Sequence, residues 1–228
     1  MDERRPDLRI NGVNNAPGGH YRNVSIEGVG KVMGPVQADG DVRMNGIVTV
    51  LGDMRAAQWN GDGKFKIEGH LAVESLRING LVDVKGKVSG ETLALQGMLN
   101  VKADCELERF EAEGGFVIGG LLNAGMIDVR LHTKGKAPEI GAESIRVRKM
   151  PRSAWEKLWR WMFPKWSPQL EAELIEGDEV DLENTTAAIV RGSRVALGAG
   201  CRIGRVEYRE SIVKHPGAQV QEEVKVGE

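Results

Sequence analysis

The amino-acid sequence predicts an all-β fold: a parallel β-helix that repeats at about 17 residues per coil, interrupted by a short Trp-rich amphipathic helix and followed by further β-helical coils. Three observations carry this reading. Glycine recurs at an interval of 17, apolar and polar residues alternate between the glycines, and one segment abandons both habits. Gly46, Gly63, Gly80, Gly97 and Gly114 form one column at that interval, and Gly52, Gly69, Gly86, Ala103 and Gly120 form a second. A period of this length is the mark of a solenoid, whose repeats bury their apolar faces only against their neighbours.

Each repeat contains three short strands. Val48, Phe65, Val82, Leu99 and Phe116 follow the first glycine column by two residues, and Val50, Ile67, Val84, Val101 and Ile118 follow it by four. Ahead of the glycines stand Val42, Trp59, Leu76, Leu93 and Phe110, then Met44, Gly61, Ile78, Leu95 and Ala112. Beyond the second column come Met54, Leu71, Val88, Cys105 and Leu122, then Ala56, Val73, Gly90, Leu107 and Ala124. Alternation at period two buries one face of each strand, and a glycine at a corner permits positive φ and close approach of stacked backbones. One extra residue near Asp39-Gly40 extends the pattern back to Val24 and Ile26, and Ile127, Val129 and Leu131 extend it forward before it fades near Ile145 and Val147, giving about seven coils. Six inward side chains contribute about 1.5–3 kcal/mol each when buried. Ordering a coil costs about 1–2 kcal/mol per residue, so a coil is stable only in a stack, and the end coils carry unpaired backbone groups.

The segment from Arg146 to Trp166 departs from this pattern. It holds seven basic residues against one acid, four of the five tryptophans, and Pro151 and Pro164. Its net charge of +6 leaves −8 on the rest of a chain whose total is −2. Ser153-Ala-Trp-Glu156 is a capping box. Trp155, Leu158, Trp159 and Met162 share the i, i+3, i+4, i+7 face of a helix that Pro164 stops. Such a helix either folds over the coil with its cations solvated, docks on an anionic membrane surface, or binds a protein partner. Trp155, Lys157, Trp159, Arg160, Trp161 and Trp166 are the candidate membrane or partner-docking residues.

After Trp166 a Gly-x-x-apolar unit recurs at Gly177, Gly192, Gly200 and Gly217, giving about three more coils that either continue the first stack or form a second. The expected organisation is a flexible segment over 1–22, the β-helix over 23–147, the basic helical insertion over 148–168, a C-terminal β segment over 169–222 and a tail over 223–228.

Composition bounds the function. Glycine is 30 of 228 residues, without a collagen period, and the near-neutral charge does not point to nucleic acid. No apolar run approaches the roughly 18 residues of a spanning helix, and Met1 to Asp7 lacks an apolar signal core, so a cytoplasmic protein is expected. Cys105 and Cys201 stand far apart with no metal-ligand spacing, and Cys105 occupies an inward column as a packed thiol. His20, His70, His132 and His215 share no offset that would gather ligands. Glu106, Glu108, Glu111 and Glu113 alternate onto outer faces, and Gly61-Asp-Gly63 opens no helix that would cradle a phosphate. Neither catalytic, cofactor nor metal residues are expected. A hexapeptide-repeat acyltransferase would need coils of 18 in three equal sixes and a distinguished histidine.

The array Val24-Ser-Ile26-Glu-Gly28, Leu76-Arg-Ile78-Asn-Gly80 and Val82-Asp-Val84-Lys-Gly86 resembles the bactofilins, the polymer-forming bacterial cytoskeletal proteins, over residues 20–132. The resemblance implies a right-handed β-helix, the usual hand of parallel crossovers, polymerising end to end into non-polar filaments without nucleotide. It also implies that an aromatic within Gly-x-Phe-x-x-Gly lies near the polymerising end, which Gly114-Gly-Phe116-Val-Ile-Gly119 matches. Phe116, Phe110, Val24 and Ile26 are thus the candidate polymerisation residues. The expectation is a non-enzymatic, self-assembling scaffold, cytoplasmic or peripheral at the inner face of the membrane, that positions other bacterial machinery for cell envelope, shape or motility. Its partners would be further copies of itself, a membrane surface or a protein at the Trp-rich helix. The alternatives are a capped, non-polymerising adaptor that binds a protein through that helix, and the acyltransferase.

Overall fold

A computed structural model describes residues 5–149 and 168–227. It divides into two compact units, Met1–Glu111 and Ala112–Glu228, and each is a parallel β-solenoid in which extended segments bend at glycine corners. The first unit contains β1 (Leu8–Tyr21), β2 (Val24–Val50), β3 (Met54–Ile67), β4 (Leu71–Val84), β5 (Val88–Val101) and the start of β6 (Cys105–Ile118). The second contains the end of β6, then β7 (Leu121–Lys136), β8 (Glu139–Lys149), β9 (Gln169–Leu182), β10 (Thr185–Leu197), β11 (Arg202–Lys214) and β12 (Gln219–Lys225). No helix occurs among the described residues.

In the first unit, residues one period apart are vertical neighbours. Val48 pairs with Phe65, Phe65 with Val82 and Val82 with Leu99, all in parallel register. The extra residue of β2 falls between Ala38 and Asp41, where the register shifts by one. Gly46, Gly63, Gly80 and Gly97 have φ of 120°, 140°, 136° and 138°. A Cβ on any of them would collide with the carbonyl oxygen of the glycine one coil below. Both conformation and stacking therefore demand glycine here. In the second column Gly52 has φ of 154°, whereas Gly69 and Gly86 carry no positive φ but would still bring a Cβ within 2.6–2.7 Å of backbone one coil below.

Two expectations are corrected. Residues 8–21, expected within a flexible segment, form a strand: β1 pairs along β2 from Leu8↔Val24 to Pro17↔Met33, a register of 16, and then shifts by one. Ile10, Ala16 and Tyr21 are buried, because a coil can drop a residue at a corner and still alternate along its sides. The tail is likewise shorter than expected, since β12 pairs with β11 as far as Tyr208↔Lys225.

In the second unit the two alternatives for the C-terminal repeats are resolved. Leu131 pairs with Lys149, whereas the nearby Lys134 reaches past an entire extra stretch of chain to pair with Gln169. β9 also lies along β8, with Ile140↔Ile175 and Ile145↔Val180. The stack thus continues through β9, which pairs with both β7 and β8. The predicted Trp-rich helix lies outside the described residues. Later coils tighten to a register of 15 (Leu170↔Thr185) and then 16 (Thr186↔Arg202), so the unit keeps its columns while its corners vary in length.

The interior holds the tryptophan and phenylalanine side chains of the described coils. Trp59, Phe65, Phe110 and Phe116 are all at most 1% exposed. Trp59 meets Phe65 edge to face with ring centroids 5.3 Å apart, a favoured aromatic geometry. Gly61, the exception in its apolar column, is explained by this pair. A Cβ there would stand 2.8 Å from Phe65 Cζ and 3.0 Å from the Met44 carbonyl oxygen, so the missing side chain makes room for the ring.

Candidate functional site

Chemistry-bearing side chains in this fold sit either in sealed columns or on outer ladders. Cys105 is fully buried, and burial, followed by the charge of Glu106, pushes its thiol up to about 12, which removes the thiolate a nucleophile needs. Cys201 is also buried; its thiol is pushed up by burial and donates to the Leu182 carbonyl at 3.2 Å. No group of three or more His, Cys, Asp or Glu among the described residues could hold a metal ion. The histidines are spread over separate coils, and each is engaged. His20 faces Asp39 at 2.8 Å, and His132 lies 3.5 Å from Glu113. His215 Nδ1 accepts the Gly217 N–H at 2.9 Å.

Side chains one coil apart knit the outer corners. Asp53 accepts the His70 N–H at 2.7 Å, and His70 Nδ1 accepts the Lys87 N–H at 3.0 Å. Asn79 donates to Asp62 and Asn100 to Asp83, at 2.7 and 2.8 Å. His20, Asp53, Arg55, His70 and Lys87 line an open groove of about 1000 Å³. Within it, Asp53 Oδ1 and His70 Nδ1 accept corner N–H groups one coil away. In the second unit Arg191 lies between Glu176 and Glu207, Arg194 between Glu179 and Glu210, and Arg205 joins Glu207 to Glu222. These exposed opposite-charge ladders support register and each adds little stability.

The strongest ionic cluster lies at β1. Arg22 donates two parallel hydrogen bonds to Asp7, at 2.9 and 2.8 Å, and Asn23 adds a third at 3.2 Å. The Arg22 guanidinium thereby holds the Asp7 carboxyl down at about 2. Arg5 and His20 likewise hold the Asp39 carboxyl below its ordinary range, the His20 contact being the larger cause.

The coil edges are the remaining candidate. Among the described residues β1 pairs with β2 alone and β12 with β11 alone. At β1 the interior is closed: Ile10 and Tyr21 are buried, and the Tyr21 hydroxyl donates to the Pro17 carbonyl at 2.8 Å. At the other edge the columns Val180–Val195–Ile212 and Ala187–Ile203–Val220 end on half-buried side chains. Sequence reasoning missed Ile212 and Val220, because the end of a column is a property of stacking and not of local sequence. The four candidate polymerisation residues lie elsewhere. Phe116, Phe110, Val24 and Ile26 are at most 1% exposed, and β1 stacks on Val24 and Ile26. They pack in the interior of this chain. Trp155, Lys157, Trp159, Arg160, Trp161 and Trp166 lie outside the described residues.

Comparison with known proteins finds two similar chains in Bacillus subtilis (strain 168). The uncharacterized protein YhbF is 39% identical over 108 residues, 47% of this chain and 42% of that protein. The uncharacterized protein YhbE is 40% identical over 110 residues, 48% of this chain and 44% of that protein. The match thus spans less than half the length of these curated relatives. No protein-family model matches the chain, and no solved structure matches it.

Proposed function

We propose that the protein is a non-enzymatic, bactofilin-like scaffold that assembles with copies of itself through its coil ends. It positions cell-envelope, shape or motility machinery in the bacterial cytoplasm, at the inner face of the membrane, with the Trp-rich segment as a docking element for lipid or a partner. The observation that supports this best is the edge of β12, which pairs only with β11 among the described residues and where Ile212 and Val220 end their columns half-buried. Unpaired strand edges recruit further strands through their own N–H and C=O groups, and an apolar column end adds a buried area that only another coil can match.

Size-exclusion chromatography with light scattering tests the reading. The parent chain is expected to elute as large assemblies, and the pair Ile212→Asp and Val220→Asp to shift the population to small species with unchanged circular dichroism. A parent chain that runs as a monomer would overturn the proposal in favour of the capped adaptor.

A further inference from the structure

One outer face of the first unit differs from all others. It is the face over the strand that follows the first glycine column, and three rows of side chains lie on it. The first row runs Val13↔Val29, then Ile47↔Lys64↔Leu81↔Met98. The middle row runs Asn15↔Lys31, then Thr49↔Lys66↔Asp83↔Asn100. The third begins Pro17↔Met33 and continues through Leu51, Glu68, Lys85 and Lys102, whose N–H groups donate to the Val32, Val50, Ile67 and Val84 carbonyls one coil below. The bond from Leu51 to Val32 and the stacking of Gly46 on Gly28 carry the rows across the two coils of β2.

All six exposed large apolar side chains among the described residues of this unit fall on that face: Val13, Val29, Met33, Ile47, Leu51 and Leu81, with Val13 at 84% exposure. Charge is segregated in the same way. The unit as a whole has 14 basic against 16 acidic residues, yet the face carries five lysines against only Glu68 and Asp83, a net +3. Glu68 is held between Lys66 and Lys85 at 2.6 and 2.5 Å. Among the described residues no ion pair engages Lys31, Lys64 or Lys102.

We propose that this face is a docking surface for an anionic lipid bilayer, with Val13, Val29, Ile47 and Leu81 entering the headgroup boundary and Lys31, Lys64 and Lys102 meeting phosphate. Charge complementarity selects the occupant, because interfacial binding sums apolar burial with attraction of Lys and Arg to anionic lipid. The apolar side chains are interleaved with lysines whose stems can lie along them while the ammonium groups reach phosphate. The face also carries no aromatic, whereas protein interfaces are anchored mainly by Trp, Tyr and Arg. Its residues belong to β1–β5 and the corners that follow β2 to β5, and only Val13, Asn15 and Pro17 lie on the edge strand β1.

Flotation of the full chain with vesicles of phosphatidylcholine, with and without phosphatidylglycerol, tests the proposal; flotation keeps bound protein apart from polymer that sediments on its own. The parent is expected to float only with phosphatidylglycerol present. Lys31→Glu with Lys64→Glu, and separately Val29→Asn with Ile47→Asn, should each lower the bound fraction at least tenfold. Arg77→Glu, on another face, should leave it unchanged, with circular dichroism of all variants at the parent level. The proposal is overturned if the parent does not float, if Arg77→Glu weakens binding as much as the lysine pair, or if Trp155→Ala with Trp159→Ala alone abolishes flotation while the face variants bind fully. It is equally overturned, in favour of a second copy of this chain, if the face variants leave flotation unchanged but dissociate a dimer in light scattering.

Discussion

At the scale of single residues, the interior is governed by volume conserved within a coil. Trp59 and Phe65 both point inward, and Gly61 between them has no side chain because the Phe65 ring occupies its space. Gly61→Ala is therefore expected to destabilise the protein by roughly 1–3 kcal/mol through overpacking. In a Phe65→Leu background the same change should cost less, and urea unfolding of the double-mutant cycle measures the difference. The exposed ionic residues make a different prediction. The folded carboxyl of Asp7 sits at about 2, against about 3.9 in an unfolded chain. A depressed pKa contributes stability that is complete above the unfolded value and is lost as pH falls through the folded one. Stability from Asp7 should thus hold down to about pH 4 and decline between about pH 4 and pH 2. Asp7→Asn should flatten that part of the acid limb, followed by thermal unfolding against pH.

Among the elements, the glycine corners decide what can change. Gly80 combines a φ of 136° with a Cβ position that runs into the Gly63 carbonyl, so Gly80→Ala should cost about 2 kcal/mol or more. At Gly141 φ is not positive, and a Cβ would lie 3.3 Å from Asn123 Oδ1, its nearest neighbour, so Gly141→Ala should change stability by no more than about 0.5 kcal/mol. Comparing the two melting curves separates a required glycine from a tolerated one. The same logic explains which elements the sequence reveals. From Val42 to Val101 successive coils pair at a constant register of 17, and their columns are legible. β1, with its register of 16 and its shift after Pro17, and β9 to β11, with registers of 15 and 16, lose the period. Their alternation within each side survives, because a residue dropped at a corner leaves the sides intact. Periodicity detects equal corners; the fold requires only matched sides.

Over the whole molecule, the inward columns were easier to read than the surfaces that could bind. Cys105 is the packed thiol that its apolar column predicts. Phe116 sits in the core, because the same apolar spacing that marks it as inward also buries it. The exposed apolar face was missed for a related reason. Val29, Ile47 and Leu81 stand at outward positions, which a search for inward alternation reads as solvent-facing. A signal was nonetheless present, since the position after the first glycine column is Val13, Val29, Ile47, Lys64, Leu81 and Met98, apolar in five coils of six. Stacked coils whose edge strands β1 and β12 each have a single partner among the described residues underlie the proposed assembly, and negative-stain electron microscopy of the purified full chain without nucleotide tests it most directly. The account predicts filaments that form without nucleotide and shorten when Val220 is changed to Asp, and a uniform field of single particles of the parent protein would contradict it.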